Sequence, residues 1–163
     1  MDEFTELIKI TPSRKSPSKG DIFVVQPKKG IYIFGKVIEV KISSKDPFVN
    51  GWNLIYIFKK FNKEIELPDF LDSKEFLIPP MIVNNQGWIK GYFLTIGNAD
   101  VTTEERKIDL GFWDDITKEY VDIKGNPLSR TPEVCSFYGL GSYGAVGRSV
   151  QKVLKANPEL LES

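Results

Sequence analysis

The stretch from Gly20 to Val40, GDIFVVQPKKGIYIFGKVIEV, limits the folds open to this chain more than any other. Asp21 to Gln26 and Ile31 to Val40 are rich in β-branched and aromatic residues, and Pro27-Lys28-Lys29-Gly30 lies between them. Such runs favour the extended backbone and such a break favours a tight turn, so the segment reads as an antiparallel hairpin. In the second run Ile31, Ile33, Gly35, Val37 and Glu39 fall on one side, and Tyr32, Phe34, Lys36, Ile38 and Val40 on the other. Both sides are mainly apolar, which predicts a strand inside a sheet covered on both faces. Gly35 interrupts the run and marks a bulge or bend.

The rest of the chain builds on that hairpin. Residues 1–19 end in TPSRKSPSK, whose prolines, serines and basic side chains read as a flexible basic leader. Residues 20–163 read as one domain, a size that buries roughly 68–70% of its unfolded surface without disulfides or metal. After a loop over Ser43 to Gly51 comes a strand from Trp52 to Lys60, with apolar residues at both alternate sets. Pro68 to Glu75 reads as a short helix or helical turn ended by Pro79-Pro80. Met81 to Asn84, Gly87 to Lys90 and Tyr92 to Gly97 read as strands, with Trp52 and Trp88 in the core. Asn98 to Lys107 is a polar surface loop with room for one helical turn. Gly111 to Asp115 and Glu119 to Lys124 are short strands, and Thr131 to Val134 starts a helix or approaches a strand. Val150, Val153 and Leu154 share one face of a final helix, Gly147 to Ala156, which Asn157-Pro158 stops. The expected fold is α+β and strand-dominated: a curved antiparallel sheet, partly barrel-like, with a C-terminal helix.

Two absences exclude chemistry. The chain has no histidine and one cysteine, Cys135, which removes Ser-His-Asp and Cys-His catalysis, His-containing and multi-Cys zinc sites, and any intramolecular disulfide. Cys135 lies in an apolar run and reads as a small buried hydrophobe. Lysines and arginines balance aspartates and glutamates at 22 each, so neither nucleic acid nor an anionic membrane is favoured as a partner. No apolar run approaches the ~18 residues of a membrane span, and the acidic start MDEF is no secretory signal. A cytoplasmic protein is expected.

Gly139-Leu140-Gly141-Ser142-Tyr143-Gly144-Ala145-Val146 matches G-x-G-x-x-G-x-V between an apolar run and a helix. A dinucleotide site needs a second strand and a ribose-binding carboxylate about 20 residues on, for which the chain has no room. The segment therefore reads as a flexible turn feeding the last helix. Charge is uneven along the chain: residues 61–122 hold thirteen acidic side chains against six basic. Within them Glu104, Glu105, Asp109, Asp114 and Asp115 form an acidic span around Trp113. Paired carboxylates can hydrolyse glycosides or hold a cation, but no calcium-loop pattern is present and no cofactor or metal is called for. The alternatives are a solvated surface or a dock for a basic partner, with Trp113 as its anchor or as a core residue.

Gly20-Asp21-Ile22-Phe23 followed by Gly30-Ile31-Tyr32-Ile33-Phe34-Gly35-Lys36-Val37 resembles the immunity protein 26 family of bacterial polymorphic-toxin and contact-dependent competition systems. Tyr92 to Asn98 is similar to a later strand of that family ending in an Ile-Gly pair, and an acidic stretch follows it. Phe112-Trp113-Asp114 and Thr131 to Cys135 come in matching order. The resemblance implies an α+β protein without catalytic activity that binds and neutralises a cognate toxin domain stoichiometrically. It supplies no contact residues position by position. The acidic span, with Glu104, Glu105, Asp109, Trp113, Asp114 and Asp115, is the expected toxin-binding surface, because nuclease toxins present basic clefts. A small β-barrel module binding a ligand or nucleic acid through the basic N-terminal third is the alternative, and a carboxylate hydrolase comes third.

Overall fold

The computed structural model describes residues 6–68 and 75–162. β1 (Asp21–Lys28) and β2 (Ile31–Glu39) form the expected hairpin, running from Ile22↔Lys36 to Val25↔Ile33. The register slips between Val25 and Lys28, around Pro27, which has no N–H to give the ladder. Gly30 turns the chain at φ 80°, its N–H held by Gln26 Oε1 at 3.0 Å. β3 (Asn53–Asn62) and β4 (Phe76–Val83) extend the sheet on one side, and β5 (Leu94–Asn98) returns beside β1 on the other. The order is β5-β1-β2-β3-β4-β9, with the two-residue β9 (Leu140–Gly141) parallel to β4. The sheet ends on β5 and β9 and is open, so the barrel-like part of the expectation stops short of closure.

Gly35 is a bulge, with the β2–β3 register shifting between Ile33 and Gly35. Phe23 stands opposite it on β1, and a Cβ on Gly35 would lie 2.5 Å from the Phe23 ring. The missing side chain lets that ring cross the strand and meet Trp88 and Phe93, each at 5.3 Å between centroids.

A second sheet, in the order β7-β6-β8, is made of β6 (Leu110–Asp114), β7 (Glu119–Val121) and β8 (Val134–Phe137). β8 lies parallel to β6. α3 (Tyr143–Ala156) covers the opposite side of the large sheet. Phe23, Val25, Ile33, Val37, Ile55 and Ile57 pack with Val146, Val150 and Leu154 of that helix. Ile38, Leu54, Tyr56 and Phe58, on the other face, pack with Phe112, Val121 and Tyr138. The layers are helix, sheet, sheet. The large sheet is covered on both faces, as the doubly apolar alternation of β2 requires.

Several expectations are corrected. Gly87 to Lys90 is helical, within α1 (Gln86–Lys90), because Gly91 at φ 90° caps it, its N–H reaching Gly87 O and Trp88 O. Trp88 is buried as expected, but from a helix, and its indole N–H donates to Thr95 Oγ1 at 3.0 Å. Trp52 lies just outside β3 and is half-buried. Pro79-Pro80 does not end a segment: β4 runs through both, where its register with β3 slips between Ile55 and Ile57, and such a slip removes the need for their N–H groups. The glycine-rich segment is β9 followed by α3, which begins four residues earlier than expected, with Ser142 Oγ accepting Ala145 N–H. Cys135 is exposed rather than buried, because β8 alternates and Cys135 falls on its outer side.

Residues 6–19 differ from the loose leader expected of them. Leu7 is buried in the core, and the N–H groups of Ile8, Ile10 and Ser13 donate to Gln26 O, Gly91 O and Trp88 O at 2.7, 2.7 and 3.0 Å. The helical turn expected over Pro68 to Glu75 lies, apart from its two ends, outside the described residues.

Candidate functional site

The acidic residues singled out in the sequence go to different places. Glu105 lies on α2 (Thr103–Arg106), the one turn allowed for in that polar stretch. Thr102 and Glu105 form a capping box: Thr102 Oγ1 accepts Glu105 N–H at 3.1 Å, and Glu105 Oε1 accepts Thr102 N–H at 2.8 Å. The same carboxylate oxygen accepts from Lys36 Nζ at 2.9 Å, and Lys36 also donates to Asp100 O at 2.9 Å. Both side chains are 4% exposed. Tyr56, which faces Lys36 across the β2–β3 ladder, donates its hydroxyl to Glu105 O at 3.0 Å. Burial, and then the Glu105 charge, push the Tyr56 phenol up to about 12. Glu105 therefore faces inward and locks α2 to the centre of the large sheet.

Asp109 accepts hydrogen bonds from the Arg130 guanidinium and from Glu133 N–H, and these hold its carboxyl below the usual range. It fastens the segment leading into β8 to the start of β6. Asp114 Oδ1 accepts Ile116 N–H at 2.9 Å and shapes the β6–β7 turn. Asp115 pairs with Lys118 at 2.7 Å, both exposed, and Glu104 is exposed on α2. Asp109 and Asp114 lie five positions apart along extended chain, roughly 16 Å. The acids are thus neighbours in sequence without sharing one face. Among the described residues, no group of three or more Cys, Asp and Glu side chains is placed to hold a metal ion.

Trp113 leads elsewhere. Alternation along β6 sends Phe112 into the core and Trp113 to the outer face of the small sheet. Trp113 pairs in register with Tyr120 of β7 and with Phe137 of β8, so three rings stand in one row across the sheet. Trp113 and Tyr120 meet edge to face, 5.0 Å apart at 68°. The row forms one wall of an open groove of about 420 Å³, completed by Cys135 and Ser136, by Ile78, Pro79 and Met81 of β4, and by Ser149 of α3. Phe137 is 65% exposed. The Ser136 hydroxyl is engaged with Pro80 O, and the Cys135 thiol donates to Pro132 O at 3.3 Å.

Sequence reasoning found Trp113 but missed Tyr120, Phe137 and the β4 wall. The only local signal was the alternation of Val134-Cys135-Ser136-Phe137, which is silent about the strand that pairs with it. No helix among the described residues is long and apolar enough to cross a membrane.

A family model described as immunity protein 26 matches residues 18–122, more than half of the chain. The match takes in β1 to β7 and ends before β8, so Trp113 and Tyr120 lie inside it and Phe137 lies beyond it. No curated protein and no solved structure matches the chain.

Proposed function

The chain belongs to the immunity protein 26 family, and from that premise we propose that it binds one cognate toxin domain stoichiometrically and blocks it without catalysis. The family match over residues 18–122 carries this reading. It acts in the cytoplasm of the bacterium that makes the toxin, with residues 20–163 as the binding domain. Its mechanism is occlusion of the toxin's active cleft, or capture of the toxin in an inactive conformation.

The contact surface we propose centres on Trp113 and the acidic end of the β6–β7 hairpin, Asp114, Asp115 and Glu119. Glu105 and Asp109, part of the same span, serve the fold instead. An exposed acidic end steers a basic toxin surface and fixes its register. Co-expression with the C-terminal domain encoded by the adjacent upstream reading frame tests the function. Restored growth together with a 1:1 complex is the expected result; continued toxicity with no complex would refute it. Reversal of Asp115 and Glu119 to Lys tests the surface, and an unchanged affinity in a folded protein would remove it.

A further inference from the structure

β5 covers only part of the β1 edge beside it. The two strands pair from Asp21↔Asn98 to Val24↔Leu94, while β1 runs on to Lys28. Ile8, on the N-terminal segment, takes up the edge beyond that point: its N–H donates to Gln26 O at 2.7 Å. We propose that residues 6–13 are an edge guard, a strap clasped by Gln151 that opens as a unit and, when closed, denies this end of β1 to a strand of a second copy of the chain. A strand edge with unpaired N–H and C=O groups is a template for pairing with another chain, and native folds blunt it by laying a loop or helix across it.

The strap is fastened on both faces of the sheet. Leu7 enters the core beside α3, in the cluster that holds Val25, Val150 and Leu154. Ile10 packs with Ile22, Val24 and Phe34, which alternation places on the opposite face of β1 and β2, so the strap bends round the edge. The N–H groups of Ile10 and Ser13 donate to Gly91 O and Trp88 O. That approach needs a glycine: a Cβ on Gly91 would lie 2.7 Å from Pro12 N and 2.9 Å from the Thr11 carbonyl carbon. Gln151 is the clasp. Its side-chain amide donates to Glu6 O at 3.0 Å and to Pro27 O at 2.7 Å, joining α3, the strap and the end of β1. The family match spans residues 18–122, so the strap and α3, which close on each other, both lie outside it. Within the strap only Leu7 is buried, while Glu6, Ile8, Lys9, Thr11 and Pro12 are exposed. A segment with so few buried contacts opens at lower free energy than the sheet beneath it.

The test uses the full chain and two variants. Gln151→Leu keeps the size of the clasp and removes its two donated bonds; Ile8→Pro removes the N–H that meets Gln26 O. Hydrogen exchange read by mass spectrometry follows the strap, and light scattering on a sizing column follows self-association over a range of concentrations. The parent should be monomeric. In each variant, exchange in peptides covering residues 6–14 should rise about ten-fold or more, with β2 and β3 unchanged. The measured mass should then grow with concentration, and an excess of a synthetic peptide of residues 6–14 should restore the monomer by closing the edge in trans. Strap exchange unchanged in both variants overturns the clasp. Exchange that rises equally in strap, β2 and β3 shows that the strap has no opening of its own and overturns the proposal. A strap that opens while the protein stays monomeric at every concentration shows an edge that needs no guard. A parent that self-associates with its strap protected overturns the proposal as well, because its contact lies elsewhere.

Discussion

The two sheets treat their alternating aromatic residues differently. In the large sheet each face has a cover, α3 on one side and the small sheet on the other, so Phe23 and Phe58 are both buried. The small sheet is covered on one face only. Phe112 enters the core, while its neighbour Trp113 joins Tyr120 and Phe137 outside. The contrast repeats among the charges: Lys36 and Glu105 are sealed inside and bonded to each other, whereas Asp115 and Lys118 meet in solvent. Where both faces are covered, sequence serves stability; where one is bare, side chains are free to serve recognition.

Substitutions at adjacent positions should separate the two regimes. The largest effects are expected in the covered layer. Phe112→Ala should lose about 3–5 kcal/mol in urea unfolding, through lost burial and the cavity left behind. Lys36→Met should cost a similar ~3–5 kcal/mol, because it strands the Glu105 carboxylate without its cation. Adding Glu105→Leu to Lys36→Met should cost less than the sum of the two singles, since contacting partners are not additive. A Lys36→Met protein as stable as the parent would show that the seam contributes nothing.

Gly35→Ala comes next, at about 1–3 kcal/mol, since its Cβ would press on a Phe23 ring already enclosed by Trp88 and Phe93. Combining it with Phe23→Leu should recover part of the loss, and no recovery would place the strain elsewhere. On the bare face the same measurement should return far less: about 1 kcal/mol for Trp113→Ala, whose ring still packs on Tyr120, and within ~0.5 kcal/mol for Phe137→Ala. A Phe137→Ala protein as unstable as Phe112→Ala would erase the distinction between the faces.

A further effect shows only at high pH. Tyr56 has a folded pKa of about 12 against an ordinary value near 10. The unfolded chain therefore releases that proton first, and stability falls as pH rises between the two values. Tyr56→Phe should flatten this alkaline limb in denaturation curves. Absorbance at 295 nm should lose a tyrosine that titrates late, and an unchanged titration would place the late group elsewhere.

Much of this fold was legible because its signals are local. The β1–β2 hairpin follows from period-two patterning and a Pro-Lys-Lys-Gly turn, all within some twenty residues. Thr102 and Glu105 show the capping-box spacing in the sequence itself. Other signals were ambiguous at short range. Gly87 to Lys90 suits a strand or a helix until Gly91 is seen in the left-handed region. Pro79-Pro80 reads as a stop until the slip in its partner strand is known. For the candidate site the legible part was a composition, acids gathered around a tryptophan. The illegible part was their direction, because Glu105 turns inward to a lysine 69 residues away.

The sequence alone determined the class of protein: a strand-rich α+β chain without histidine, opening on a hairpin with the marks of its family. Those properties depend on residue type and on neighbours a few positions apart, where propensity and alternation act. Only tertiary structure decided that Phe137 stands beside Trp113, that β4 and α3 complete a groove around them, and that Lys36 is sealed by Glu105. Each of these depends on strand pairing and layer packing between distant segments, which no local pattern encodes.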